Sequence, residues 1–358
     1  MSTEMFIQYF FNALALGSLY GLIAIGYTMV YGVLRLINFA HGDIFMLGAY
    51  FVFFSTVSFM PAWTAVLLVL IAVFIYYLVF VGFRKRPPIH WVGVFLVFVF
   101  GLIYYLKVSS QDFAPIWILA ACFSIFITSA VGISIDRFAY KPLRDAPRVS
   151  ALVGGIGVSF LLENLATVLF GGVPKSVKQP SFFVTQIEWH LGGNSDSVVR
   201  IVPMSIIVPI VSLVLVLLLL WIIHKTKPGL AMRAISHDIE VTRLMGVPVD
   251  KVIALTFAIG SALAAVSGIM WALRYPQVQP YMGVFPGLKA FIAAVVGGIG
   301  SIPGAMFGGL LLGFIEIMVV AFFPSLSGYR DAFAFILLIL ILLFMPQGLM
   351  GKKSQEKI

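Results

Sequence analysis

The sequence predicts an all-α membrane protein, a polytopic helix bundle of about eleven apolar segments. Two observations lead to this fold class. Of the 358 residues, 61% are hydrophobic and 10% are charged, whereas soluble domains average roughly 45–50% and 25%. The hydrophobic residues also lie in long runs, and a membrane-spanning helix needs about 20 mostly apolar residues in succession. A soluble globular protein is therefore excluded.

The apolar runs define the expected segments of a single transmembrane domain over residues 1–358. Two runs, 44–59 and 287–299, are short for a full crossing and are expected to be broken or re-entrant. Such segments need protein or a wet cavity around their backbone. The expected segments are 6–34, 44–59, 62–83, 89–106, 114–135, 152–170, 202–223, 253–273, 287–299, 303–323 and 332–346.

Basic residues set the expected orientation, because cytoplasmic loops are enriched in Lys and Arg. If the crossings alternate from an outside N-terminus, most of the 23 basic residues fall on the inner side. We therefore expect an outside N-terminus and a cytoplasmic C-terminus. The net charge of +9 is divided among short loops, and this distribution argues against binding to nucleic acid.

The sequence lacks the residues that several kinds of chemistry require. The one cysteine, Cys122, cannot form a disulfide or a Cys-based metal site within this chain. The histidines show no zinc or di-metal spacing, and no nucleophile and base stand together. The run GGIGSIPG has Pro303 where a dinucleotide loop needs glycine, and no GxxxxGK[ST] sequence is present. We therefore assign no catalytic residue, metal, cofactor or ATP site.

Two interruptions of the apolar pattern lie near opposite ends of the chain, NFAHGD at 38–43 and GGIGSIPG at 297–304. Paired interruptions are the best indication in a sequence of a transport path, although plain cytoplasmic turns can have the same composition. The candidate path residues are Asn38, His41, Asp43, Gly297, Gly298, Gly300 and Gly304.

Ionisable residues inside apolar segments are costly and are therefore candidates for function. Glu163, Lys289 and Glu316 qualify, and the expected orientation places all three in the outer half of the membrane. Lys289 can pair with Glu316 there. The alternatives are that the glutamates only join helices and that Lys289 extends to the lipid headgroups.

The longest inner connection, 224–252, is predicted to hold one amphipathic helix between Pro228-Gly229 and Gly246. The helix either lies on the headgroups or inserts its apolar face into a cytoplasmic partner. Its apolar side carries Met232, Ile235, Ile239 and Thr242, and its polar side carries Arg233, Ser236, His237, Glu240 and Arg243.

Long blocks of the sequence resemble a known family. They are LGSLYGLIAIGYTMVYGVLRLINFAHGDIFMLGAY, RAISHDIEVTRLMGVPVDKVIALTFAIGSALAAVSGIM, KAFIAAVVGGIGSIPGAMFGGLLLGFIE and LLFMPQGLMG. Together they resemble the LivH type of permease, one of two membrane subunits of bacterial branched-chain amino-acid ABC importers. The resemblance implies a multi-pass protein of the bacterial inner membrane. It also implies a second homologous permease, two cytoplasmic ATPase subunits and a periplasmic substrate-binding protein as partners.

The resemblance gives 224–252 the role of the segment that enters the ATPases, with Arg233, Asp238, Glu240, Arg243 and Gly246 as candidate coupling residues. Two features depart from the family pattern. Thr242 stands where the family usually has a small Ala, and 61–113 has no counterpart in the usual shorter pattern. We expect 61–113 to add a hairpin of two apolar runs that keeps the orientation of everything after it.

Four functions remain to be compared. The leading one is a permease subunit that moves branched-chain or other apolar amino acids inward with ATP hydrolysed by its partners. A urea or short-chain amide ABC permease is the nearest alternative, because such systems share the architecture. An ion-coupled secondary transporter needs ion ligands at mid-membrane, whereas the acidic residues are expected toward the outer face. An intramembrane enzyme lacks its reactive residues.

Overall fold

A computed structural model describes residues 3–56, 114–144, 146–190 and 198–351. Within these ranges the chain is mostly helical and has two small antiparallel sheets, β1 with β4 and β2 with β3. The helices are α1 (Thr3–Leu34), α2 (His41–Thr56), α3 (Ala114–Ile135), α4 (Arg148–Phe170), α5 (Met204–Lys225), α6 (Lys227–His237), α7 (Ile239–Leu244), α8 (Val249–Arg274), α9 (Val284–Gly297), α10 (Ile302–Phe322) and α11 (Arg330–Phe344). The strands are β1 (Lys175–Ser176), β2 (Ile187–His190), β3 (Val198–Ile201) and β4 (Gln277–Val278).

The expected apolar segments correspond to helices wherever the structure describes them. In the described ranges, 7 helical stretches are long and apolar enough to cross a membrane. With 14 residues, α9 is about 21 Å long at 1.5 Å per residue, and a hydrocarbon core is about 30 Å thick. This helix is therefore shorter than such a core, and whether it is re-entrant stays a prediction. The expected hairpin at 61–113 lies outside the described residues.

The chain divides into two compact units. The first unit comprises 1–37, 181–252 and 284–358, and the second unit comprises 38–180 and 253–283. In the first unit α1 packs against α5, α9 and α10. Because α1 is apolar on every side, burial by several neighbours is the arrangement that its sequence favours.

Small residues bring α1 and α10 together at backbone distance in the first unit. A Cβ atom added to Gly309 would lie 2.3 Å from the backbone nitrogen of Gly21. One added to Gly313 would lie 2.3 Å from the nitrogen of Gly17. Small residues at this four-residue spacing allow close helix packing in lipid, so the sequence pattern here specifies one helix pair.

We expect Gly309→Leu to separate α1 from α10 and to reduce the yield of folded protein severely. The new side chain would meet backbone atoms that cannot move aside, and overpacking of this kind typically costs about 1–3 kcal/mol or more. Size-exclusion yield and thermal unfolding after mild detergent extraction measure the effect. Gly157→Ala is the matched control, since a Cβ there meets nothing within 4 Å. Equal yields of the two variants would contradict the assigned packing.

In the second unit α2 packs against α3 and α4, and α8 also approaches it closely. A Cβ added to Gly268 would lie 2.2 Å from the carbonyl oxygen of Phe45. The hydroxyl of Ser124 on α3 donates a hydrogen bond of 2.7 Å to the carbonyl oxygen of Gly48. These contacts hold the beginning of α2, which carries the first interruption of the sequence, inside the second unit.

Candidate functional sites

The first interruption, 38–43, is buried in the second unit. Asn38, His41 and Asp43 are 2%, 1% and 2% exposed. The Tyr140 hydroxyl donates a hydrogen bond of 3.0 Å to Oδ1 of Asn38, and the His41 amide donates to the Asn38 carbonyl oxygen at 3.1 Å. The alternative of a plain solvated turn therefore does not fit these residues.

Asp43 is joined to α4 by two side chains. The hydroxyl of Ser159 donates to Oδ2 of Asp43, and the carboxyl group of Glu163 lies close enough to that of Asp43 for the two to interact electrostatically. Ser159 and Glu163 share a face of α4 because they are four residues apart.

The contact between Asp43 and Glu163 joins two features that the sequence analysis kept separate. Asp43 was assigned to a break and Glu163 to the outer half of another segment. Ser159 lies eleven residues after Arg148, or about 17 Å along α4. Asp43 is therefore placed beside the middle of that helix. The position of Asp43 along α4 is set by tertiary packing alone, and no pattern in the sequence predicts it.

The second interruption breaks the helix in the first unit, as expected. Between the end of α9 and the start of α10, Gly298 and Gly300 have φ values of 104° and 96°. Only glycine adopts such values without steric cost. The side chain of Ser301 accepts a hydrogen bond of 3.2 Å from the Gly304 amide and so caps the start of α10.

A segment after α11, 346–351, covers this break. The amides of Leu349 and Met350 donate to the carbonyl oxygens of Val296 and Gly297 at 2.8 and 3.0 Å. A Cβ added to Gly298 would lie 2.5 Å from the nitrogen of Gly351. The segment thus satisfies carbonyl groups at the end of α9, which a helix end otherwise leaves without partners.

Lys289 and Glu316 form the ion pair that the sequence analysis allowed. The Lys289 Nζ lies 2.9 Å from Glu316 Oε1 and 2.6 Å from Asp331 Oδ1. The Tyr20 hydroxyl donates to Glu316 Oε2 at 3.1 Å. Lys289 is only 7% exposed, and its ammonium group is held by these carboxylates. We call these four residues the charge network, and it links α1, α9, α10 and the first turn of α11.

The connection 224–252 contains two helices, so the prediction of one helix was wrong. Asp238 separates α6 from α7 with extended backbone angles, φ −157° and ψ 117°. Its carboxylate accepts hydrogen bonds from the amides of Glu240 and Val241 at 2.9 and 3.0 Å, which makes Asp238 the N-cap of α7. Gly246, with φ 80°, follows the end of α7.

Most of the apolar side of this connection is covered within the first unit, contrary to the docking expectation, and only Ile239 of its four residues is partly exposed. Met232, Ile235 and Thr242 are 3%, 1% and 5% exposed, and α6 packs against α1 and α5. A partner can reach other apolar side chains instead. They are Leu230, Val241, Leu244 and Met245, which are 61%, 55%, 86% and 79% exposed.

Comparison with known proteins identifies the family. The sequence model of the family described as "branched-chain amino acid transport system / permease component" matches residues 9–342. The chain is 39% identical over 356 residues to the high-affinity branched-chain amino acid transport system permease protein LivH of Salmonella typhimurium, covering 99% of this chain and 98% of that protein. LivH of Escherichia coli K12 is also 39% identical over 356 residues. BraD of Pseudomonas aeruginosa is 38% identical over 358 residues, with 99% and 98% covered. The chain therefore belongs to the family of branched-chain amino acid transport permease components.

Proposed function

We propose that this chain is the permease subunit of an ATP-driven importer that moves branched-chain or other apolar amino acids into the cell. The observation that carries the proposal is the 39% identity to LivH over nearly the whole of both chains. A second permease, two cytoplasmic ATPases and a substrate-binding protein outside the membrane complete the transporter. ATP is hydrolysed in the partners, since this sequence has no phosphate-binding loop.

The chain resides in the bacterial inner membrane with its N-terminus outside and its C-terminus in the cytoplasm. The distribution of Lys and Arg supports this orientation. In it, α6 and α7 face the cytoplasmic ATPases and the charge network lies toward the outer face. The stretch 61–113 adds an even number of crossings as an accessory hairpin at the periphery.

The two interruptions line the path of the amino acid. A passage for an apolar zwitterion needs close backbone and a few polar groups rather than a fixed charge that holds the substrate too long. Asn38, His41 and Asp43 supply buried polar groups in the second unit. The break at 297–304 supplies exposed backbone in the first unit at Gly300, where a Cβ would meet nothing within 4 Å.

Cysteine labelling from the two sides of the membrane tests this path. In a Cys122→Ser background, Asn38→Cys, His41→Cys and Gly300→Cys are expected to change their reactivity when nucleotide is trapped in the ATPases. Ala293→Cys is the control, because Ala293 is 0% exposed and should remain unlabelled in both states. If positions 38, 41 and 300 stay inaccessible in every state, both interruptions belong to static packing and the path runs elsewhere.

A further inference from the structure

A cavity of about 120 Å³ lies within the first unit, where α1, α5 and α6 meet the start of α10. The cavity is partly open to its surroundings, and a small organic molecule fits such a space. In the proposed orientation the cavity is at the cytoplasmic end of the unit, beside the break at 297–304.

Two features of the cavity wall favour an anion. Arg233 of α6 lines it, and within the described part of the chain the Arg233 side chain has no ion pair. On another side, Gly300 and Ile302 line the cavity at the N-terminus of α10, where the helix dipole favours negative charge. A carboxylate bound here would pair with the Arg233 guanidinium. The planar guanidinium can donate two parallel hydrogen bonds to the two oxygens of a carboxylate.

The rest of the wall is mostly aliphatic. Met29 and Val33 of α1, Ile223 of α5, Met232 of α6 and Ile302 of α10 line the cavity. These residues would remove from water the aliphatic chain of a bound molecule a few carbon atoms long. The carboxylate of the same molecule would lie beside Arg233. Gly32 leaves room on the α1 side, because a Cβ there would meet only the Gly300 Cα, at 3.9 Å.

We propose that this cavity is a product-side binding site for small branched aliphatic carboxylates, and for the transported amino acid in particular. The choice of the transported amino acid rests on the proposed function. Occupancy contacts Met232, Arg233 and Ser236 of α6 together with Gly300 at the break. The occupancy of the site therefore follows the cytoplasmic concentration of the product. The bound product contacts α6, which belongs to the segment that faces the ATPases.

Equilibrium binding of radiolabelled leucine to the complete transporter tests the site, with the substrate-binding protein and nucleotide left out. We expect saturable binding that 4-methylpentanoate displaces, because it keeps the carboxylate and the branched chain. Neither 3-methylbutylamine, which lacks the carboxylate, nor acetate, which lacks the aliphatic part, should displace it. Displacement by the amine as strong as by the acid would overturn the assignment of Arg233.

Two variants from different helices keep the test independent of the coupling role of α6. Arg233→Gln removes the charge and Gly32→Leu fills the cavity from α1, and each should weaken leucine binding at least tenfold. Arg200→Gln, at an exposed arginine of the first unit that does not line the cavity, and Gly157→Leu, at a position with nothing within 4 Å of the added Cβ, should stay within twofold of the wild type. Unchanged binding in both cavity variants would overturn the proposal.

The proposed function is checked separately by leucine uptake with the substrate-binding protein present. Uptake by the wild type without direct binding in the first assay refutes the cavity site alone. Absence of leucine uptake by the wild type refutes the proposed function itself.

Discussion

Glu316→Ala is expected to lower the free energy of unfolding by about 3–5 kcal/mol, because it leaves the buried ammonium group of Lys289 without its buried carboxylate partner. Lys289 and Glu316 are 7% and 4% exposed, so water cannot replace the lost contact. Asp331 remains near Lys289, but its side chain is 48% exposed and compensates only in part. Reversible denaturant unfolding of the purified chain in mixed micelles measures the loss.

Two further variants distinguish the energetic cost of an unpaired buried charge from the cost of lost packing. Lys289→Met combined with Glu316→Leu removes both charges of the pair and should recover a large part of the loss, as replacements of buried ion pairs often do. Arg200→Ala breaks an exposed pair, since Arg200 and Glu188 are 62% and 52% exposed, and should cost less than about 1 kcal/mol. A cost for Glu316→Ala no greater than that of Arg200→Ala would contradict the role of the charge network.

Leu244→Asp combined with Met245→Asp is expected to reduce ATP-driven uptake at least tenfold while the amount of inserted protein stays unchanged. Leu244 and Met245 are 86% and 79% exposed at the end of α7. A cytoplasmic ATPase that docks there would bury them, and a carboxylate at the same place would have to lose its hydration. Substrate-stimulated ATPase activity and uptake by membrane vesicles report the coupling.

Val173→Asp is the matched control for this pair, because Val173 is 74% exposed in the loop after α4 and lies on the outer side in the proposed orientation. It should leave uptake nearly unchanged. Reversing Glu240 and Arg243 together tests the polar rim of the same docking surface and should also uncouple ATP hydrolysis from uptake. Normal coupling in both sets of variants would remove α7 from the contact with the ATPases.

The helices could be predicted from sequence because hydropathy and breakers are local signals. The apolar runs set the positions of the spanning helices, and the glycines at 297–304 set the break between α9 and α10. The pair of Lys289 with Glu316 was also predictable, since two opposite charges in neighbouring apolar segments have few other partners. The participation of Asp331 was harder to predict, because Asp331 stands just before the last apolar run, 332–346.

Other parts of the candidate sites depend on contacts between residues distant in the sequence. The hydrogen bond from Ser159 to Asp43 and the approach of Glu163 require the register of α2 against α4, which neither helix specifies alone. The segment 346–351 covers the break through hydrogen bonds from its backbone amides. Because every residue except proline has such an amide, the residue types do not predict this contact. Asp238 is different, because Asp followed by Ile239 and Glu240 is a typical N-cap sequence and could have divided the connection into two helices.

In the proposed function, ATP hydrolysis by the partner subunits drives an amino acid through this chain. The most direct test of this function is accumulation of radiolabelled leucine in proteoliposomes that contain the complete transporter and its substrate-binding protein, with no ion gradient imposed. We expect accumulation that requires ATP on the side of the ATPases, persists when protonophores and sodium ionophores are added, and is not displaced by excess urea. Accumulation driven by an imposed proton or sodium gradient without ATP, or uptake of urea in place of leucine, would contradict it.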